Sequence, residues 1–379
     1  MSSASLSVDR SRANPGKLPS LDGVRAISFS IVFVAHAGLD YIVPGRFGVD
    51  IFFLLSGYLI TLLLIREHAR TGWISLKLFY VRRAIRIFPP MYAILASTLL
   101  LLWLTHQMAG ITLAGVCSQL FYYQNYFFHP GIIPELGPLW SLAIEEHFYL
   151  LFPPLMVLLL ARSKNYSDIT KTLLALCGLI LVWRCCVVAI MPDGMQWARD
   201  ATDTRADSIL LGCVLACLQQ TPQCGRIFQR RRLERYIIPG CCAALLITFL
   251  VRNPVFRETI RYTLQGLAIA PLLYYVVHYP ETIVGKLLNS RVLSYIGVLS
   301  YSLYLLHALV LMQMQRIIHS ALVVGILSLP ITIALGVVVR TLIEKPAEKL
   351  RARLRHQTPV RFDVPQSATS HDLSRANVA

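Results

Sequence analysis

Apolar stretches close to the thickness of a bilayer recur along the chain, and the short segments between them hold much of its Lys and Arg. The runs alone give eleven segments, at about 26–43, 47–65, 87–105, 111–124, 143–161, 171–191, 205–219, 236–251, 262–278, 292–316 and 321–343. A membrane helix needs about 20 predominantly apolar residues, whereas the strands of a membrane barrel alternate in short segments. The pattern therefore predicts an all-α, polytopic membrane protein. Loop charge sorts the two sides. Residues 66–86 carry six Lys or Arg, and 220–235 carry Arg226, Arg230, Arg231, Arg232 and Arg235, so both are expected in the cytoplasm. Residues 106–142 carry none, and 192–204 set Arg199 against Asp193, Asp200 and Asp203, which suits the outer face. Basic segments at both ends predict that both termini are cytoplasmic, so the number of crossings is even. The fourteen-residue run 111–124 is then expected to be re-entrant or interfacial, which leaves about ten spans. Loop 252–261 is the misfit, because it falls outside with Arg252, Arg257 and Arg261.

Composition agrees with this picture. Of 379 residues 55% are apolar and 15% charged, against about 25% charged in a soluble domain. The mean hydropathy is +0.57. The net charge of +16 would suggest nucleic acid in a soluble chain, but here the basic residues sit in loops between apolar runs, and no nucleic-acid partner is expected. Nine cysteines lie mostly in apolar segments without a CxxC pair, so they read as small buried hydrophobes, and no metal site is expected. Residues 1–25 with Ala35-His36-Ala37 look like a leader and its cleavage site. The polar stretch is long for one, however, and a retained first helix is the expectation. We divide the chain into a polar cytoplasmic segment at 1–17, a transmembrane domain at 18–350, and a polar, disordered cytoplasmic tail at 351–379. No internal repeat is visible, which weighs against transporters built from duplicated halves.

Ionisable side chains inside spans are costly, so each marks a candidate site. His36 lies halfway along the first run, eleven residues after Arg25. Eleven steps of about 100° end about 20° past three full turns, so both side chains share a stripe, about 16 Å apart along the axis. An extended substrate held by an anionic end at Arg25 would present its other end to His36. Asp40, at i+4, is placed to accept from one imidazole nitrogen and leave the other as a general base. Asp50 opens the second run as a candidate helix cap, and Ser56-Gly57 permits close backbone approach. Arg82, Arg83 and Arg86 cluster at the start of the third run, where topology alone favours basic residues but where they also form a phosphate fork. Trp140, Ser141, Glu145, Glu146 and His147 open the fifth run, and at most one of the adjacent carboxylates faces a given pocket. Arg205 and Asp207 open another, as a local ion pair or with one member paired to a distant helix.

Taken together these segments resemble the acyltransferase-3 family of bacterial integral-membrane O-acyltransferases. The resemblance rests on Leu21-Asp22-Gly23-Val24-Arg25-Ala26 with His36, on Gly48-Val49-Asp50-Ile51-Phe52-Phe53-Leu54-Leu55-Ser56-Gly57-Tyr58-Leu59-Ile60, on Arg83 with Arg86, and on Leu139-Trp140-Ser141-Leu142 with Glu145. It continues through Thr204-Arg205-Ala206-Asp207 with Gly212, Ser300-Tyr301-Ser302-Leu303-Tyr304-Leu305 with His307, and Ile343-Glu344-Lys345-Pro346. Each motif is weak alone, but seven in order are specific.

The resemblance implies acyl transfer from a cytoplasmic acyl-CoA, acetyl by default, to a hydroxyl of a glycan, lipid-linked sugar or small envelope acceptor, in a bacterial inner membrane. No bound cofactor is implied, since acyl-CoA is a co-substrate. His36, Asp40 and Glu145 are the expected catalytic residues. Arg25, Arg83, Arg86, Arg205, Asp207, Trp140, Ser141 and Tyr301 are the expected substrate-binding ones. His36 serves as general base or as a transient acyl carrier. Some relatives carry an esterase-like domain after the last span; here any such second transfer is expected to need a separate protein. A glycan transporter or flippase is the rival class, and it would also place charges at mid-membrane. A non-catalytic scaffold has no need of them.

Overall fold

In lipid, backbone N–H and C=O groups must be satisfied within the chain, so an apolar run of span length folds as a helix. The computed structural model describes residues 18–41 and 44–355, and among them there is no strand. The expected segment 1–17 and residues 356–379 of the expected tail lie outside the described residues. Twelve principal helices and one C-terminal helix follow in order. They are α1 (Leu21–Leu39), α2 (Gly45–Thr71), α3 (Leu76–Leu104), α4 (Leu113–Leu120), α5 (Leu139–Arg162), α6 (Tyr166–Ile190) and α7 (Gly194–Asp200). Then come α8 (Thr202–Leu218), α9 (Arg230–Leu250), α10 (Ile260–His278), α11 (Arg291–Gln315), α12 (Ala321–Val339) and α13 (Lys345–Arg355).

Nine helices among the described residues are long and apolar enough to cross a membrane. The expected tenth, at 205–219, is α8. At 17 residues it is about 26 Å long, the shortest of the spans expected from the sequence, and it is sheathed by other helices. The run 111–124 does not form a span. It gives the eight-residue α4 and then tight turns, all part of a folded loop between α3 and α5. The Gln119 amide clamps that loop by donating to the Ile133 carbonyl at 2.9 Å and accepting from its N–H at 3.0 Å. Tyr126 ties it to α8, donating to the Asp203 carboxylate at 2.8 Å. Burial, and then the charge of Asp203, push the Tyr126 hydroxyl pKa up. Residues 351–355, assigned above to an irregular tail, instead complete α13, which packs along α3.

Burial separates centre from periphery. In α2, 78% of the most apolar window is buried, against 22% in α6 and 17% in α9. The centre depends on glycines. A Cβ at Gly57 of α2 would lie 1.9 Å from the Ile209 carbonyl oxygen of α8, and one at Gly212 of α8 would lie 2.0 Å from the Leu54 carbonyl oxygen of α2. The two backbones therefore interlock reciprocally, as small residues allow in membrane interfaces. Gly212→Ala must push these helices apart. It is expected to cost at least about 1–3 kcal/mol, measured as a lower melting temperature in detergent, and an unchanged melting curve would refute the interlock. Gly297 of α11 does the same for α1: a Cβ there would meet the Asp22 carbonyl at 1.8 Å. That contact fixes the end of α1 from which Arg25 projects. Of the cysteines, Cys177, Cys213, Cys217, Cys224 and Cys241 are buried as expected, whereas Cys117, Cys185 and Cys186 are half-buried and Cys242 is exposed; all nine are unpaired.

Candidate functional site

Between α1, α2, α3, α5, α11 and α13 lies a cavity of about 380 Å³. One part of its wall is apolar, with Phe52, Phe53, Leu59, Ile60 and Leu142. The other part is charged, with Arg25, Arg82, Arg83, Arg86 and Arg351 facing it alongside Asp22, Glu67 and Glu145. Local sequence explains the cluster. Ser75 caps α3, its hydroxyl accepting from the Leu78 N–H at 3.4 Å, so the helix begins eleven residues before the expected 87. Arg82, Arg83 and Arg86 therefore lie inside α3, not before it. Pro89 and Pro90 lack the N–H groups that would bond the Ile85 and Arg86 carbonyls, which loosens the helix beside the cavity.

The arginines differ in how they are held. Arg82 donates to Glu67 at 3.2 Å. Arg83 lies over the Tyr149 ring at 3.4 Å and 3.9 Å from Glu145. Glu145 also accepts from Ser56 at 3.1 Å and from Tyr149 at 2.8 Å. Arg25 reaches Asp22 only at 3.4 Å. Arg86 lines the cavity without a hydrogen bond or ion pair to any described residue. A guanidinium without a carboxylate partner is open to an anion. Ser141 and Tyr304 share a 2.6 Å hydrogen bond at the wall, and Tyr301 donates to the Ile87 carbonyl at 2.8 Å, fastening α11 to α3 next to Arg86.

Of the expected site residues, the cavity gathers Arg25, Arg83, Arg86, Glu145, Ser141 and Tyr301. His36 does not line it. It lies at the far end of α1, where Tyr304 links the two regions: this ring lines the cavity and its centroid is 5.3 Å from that of His307. His307, fully buried, approaches His36 Nδ1 through Nε2 at 3.0 Å. This histidine lay within a quoted motif but carried no role, since its partner is 271 residues away in sequence. Its Nδ1 sits 2.6 Å from the Tyr304 carbonyl. A carbonyl only accepts, so Nδ1 carries the proton, and a neutral His307 accepts at Nε2. His36 then donates from Nδ1 and keeps its lone pair on Nε2.

Asp40 makes no hydrogen bond to His36 among the described residues. The expected i+4 pairing fails because α1 ends in a π-helical turn, Ala35–Leu39, whose Gly38 has φ 103° and breaks the register. Arg205 and Asp207 also lie apart from the cavity, and neither pairs with the other. Arg205, fully buried, binds Asp50 of α2 and stacks on Tyr262 at 3.5 Å. Asp207 takes Arg184 of α6 at 2.8 Å. The helix α2 begins at Gly45, so Asp50 is an interior residue and not the expected cap. Trp140 sits on the far side of Phe53, with Arg46 at 5.0 Å from its ring.

Residues 18–343 match the acyltransferase-3 family, described as an acyltransferase domain. The chain is 33% identical over 313 residues to the O-acetyltransferase OatA of Staphylococcus aureus, covering 78% of this chain and 50% of that protein. It is 29% identical over 307 residues to the peptidoglycan O-acetyltransferase OatA of Listeria monocytogenes, covering 76% of this chain and 49% of that one. It thus spans about half the length of the curated relatives it matches. No solved structure matches it. With most of its helical, multi-pass membrane body inside one family match, the chain belongs to the acyltransferase-3 family.

Proposed function

We propose that this protein is a membrane O-acetyltransferase that carries an acetyl group from cytoplasmic acyl-CoA to a hydroxyl of a cell-wall glycan. The observation that carries the reading is the cavity. It has an apolar wall suited to a slender acyl arm and partner-poor arginines suited to phosphates, and Tyr304 and His307 connect it to an imidazole with a defined lone pair. In this reading Arg25 and Arg86 bind the anionic part of the donor. Arg83 is held by Glu145 and Tyr149, so the three act together as a positioning group. His36 Nε2 takes the proton from the acceptor hydroxyl as its oxygen attacks the thioester carbonyl. The carbon–sulfur bond breaks, the acetyl group stays on the acceptor oxygen, and the proton held on His36 Nε2 passes to the leaving thiolate. Arg205 and Asp207 brace the helices. Asp40 and Trp140, at the end of α1 and the start of α5, lie towards the side where a glycan acceptor would arrive. Both termini are cytoplasmic in this reading, and the membrane is the bacterial inner (plasma) membrane.

The test uses purified protein in vesicles with isotope-labelled acetyl-CoA and a glycan acceptor. Labelled acetyl ester on the glycan supports the proposal. Movement of unmodified glycan without acetyl-CoA would support transport instead. Arg86→Ala is expected to weaken acetyl-CoA binding by about tenfold to a hundredfold, the worth of one charged hydrogen bond. Unchanged binding would remove Arg86 from the donor site.

A further inference from the structure

The donor cavity has a neighbour of about 200 Å³, set between α1, α11 and α13. The two share a wall that contains Arg25, Arg86 and Arg351. The far wall of the smaller one carries Arg340, Glu344 and Glu348. Glu344 is already engaged, accepting from Ser302 and, at 3.0 Å, from Arg340. Glu348 is only loosely engaged, 3.5 Å from Arg340 and 47% exposed. Arg351 is on α13, outside the apolar runs, and it reaches the shared wall because α13 packs along α3.

We propose that the smaller cavity is the subsite for the phosphorylated nucleoside end of the donor, with Arg351 binding its phosphate and setting donor specificity. The inference rests on the acyl-CoA reading. Three guanidiniums converge on the shared wall, where Asp22 is the one carboxylate lining both cavities, an arrangement that favours a polyanion over a single carboxylate. A wall common to two cavities fits a ligand whose charged middle sits there while its two ends diverge. The slender arm matches the larger cavity with its apolar side, and the polar, bulkier end matches the smaller one. Glu348 can accept from the hydroxyl and amino groups of a nucleoside. An acyl donor lacking the nucleoside would leave this cavity empty.

The experiment compares acetyl-CoA with S-acetyl-4′-phosphopantetheine, which lacks the nucleotide, as donors for the full chain in vesicles. Wild type is expected to prefer acetyl-CoA. Arg351→Ala is expected to reduce that preference by about tenfold to a hundredfold, through a higher KM for acetyl-CoA and not through kcat. Arg351→Lys should restore part of it, since an ammonium binds phosphate as a point charge without the fork. An equal loss with both donors, or a loss confined to kcat, would mean that Arg351 serves only to pack α13 and would overturn the subsite. A wild type that uses both donors equally well would also overturn the subsite, yet leave the acyl-CoA reading standing. A wild type that uses neither would bring down that reading and the subsite with it. Size-exclusion profiles of Arg351→Ala and Arg351→Gln identify a variant that fails to fold, and the Gln form then carries the comparison.

Discussion

His36→Ala is expected to lower acetyl transfer by about 10²–10⁴-fold, the usual worth of a general base, with the protein still present in the membrane. The expectation follows from the tautomer chain. The Tyr304 carbonyl fixes the proton on His307 Nδ1, His307 Nε2 accepts from His36 Nδ1, and the reactive lone pair is left on His36 Nε2. His307→Ala should cost less than His36→Ala, because it releases the orientation of the base without removing it. His307→Gln, which keeps an acceptor, should fall between His307→Ala and wild type. Mass spectrometry of glycans from cells expressing each form reads the result. Wild-type turnover in His36→Ala would take His36 out of the chemistry. A trapped acetyl-histidine at position 36 would change its role from base to carrier.

The largest expected loss of stability is at Arg205. Its guanidinium and the Asp50 carboxylate are both buried to within 1%, and α2 and α8 meet across them. Arg205→Ala leaves a carboxylate in a low-dielectric interior without its counter-ion, which costs about 3–5 kcal/mol. That is a large part of the margin of a typical domain. The variant is expected to lose its monodisperse peak in detergent. The pair Asp50→Leu with Arg205→Met is expected to recover most of it, because two apolar side chains of similar bulk need no partner. A stable single variant, or a double variant as poor as the single, would show that the ion pair does not hold the two helices.

The membrane spans were legible because a bilayer imposes length and apolarity on each segment separately, so no tertiary knowledge is needed. The boundaries were less so. The helix α3 starts at Leu76 because a serine cap and an amphipathic first turn are tolerated beyond the apolar run. Six of the residues that the family resemblance implied meet at one cavity. Contacts between distant helices could not be read in this way. The partner of His36 is on α11, that of Arg205 on α2 and that of Asp207 on α6. Asp40 misled because i+4 geometry presumes an unbroken helix, and Gly38 breaks it. Arg351 was passed over because α13 is polar and reads as a tail, although packing on α3 turns one of its residues towards the site.

The helix α1 carries Arg25 at its charged end and His36 just ahead of the break at Gly38, about 16 Å along the axis. In the proposed reaction α1 therefore acts as a ruler for the donor. The length it measures runs from the phosphates to the thioester carbon, not from the thioester to the tip of the acyl chain. Lengthening the acyl group leaves that length unchanged, whereas shortening the arm takes the carbonyl out of reach of the base. Selection among acyl groups then falls to the room around Tyr304 and Phe52, and changes there should widen the range of groups transferred without altering which carrier is accepted.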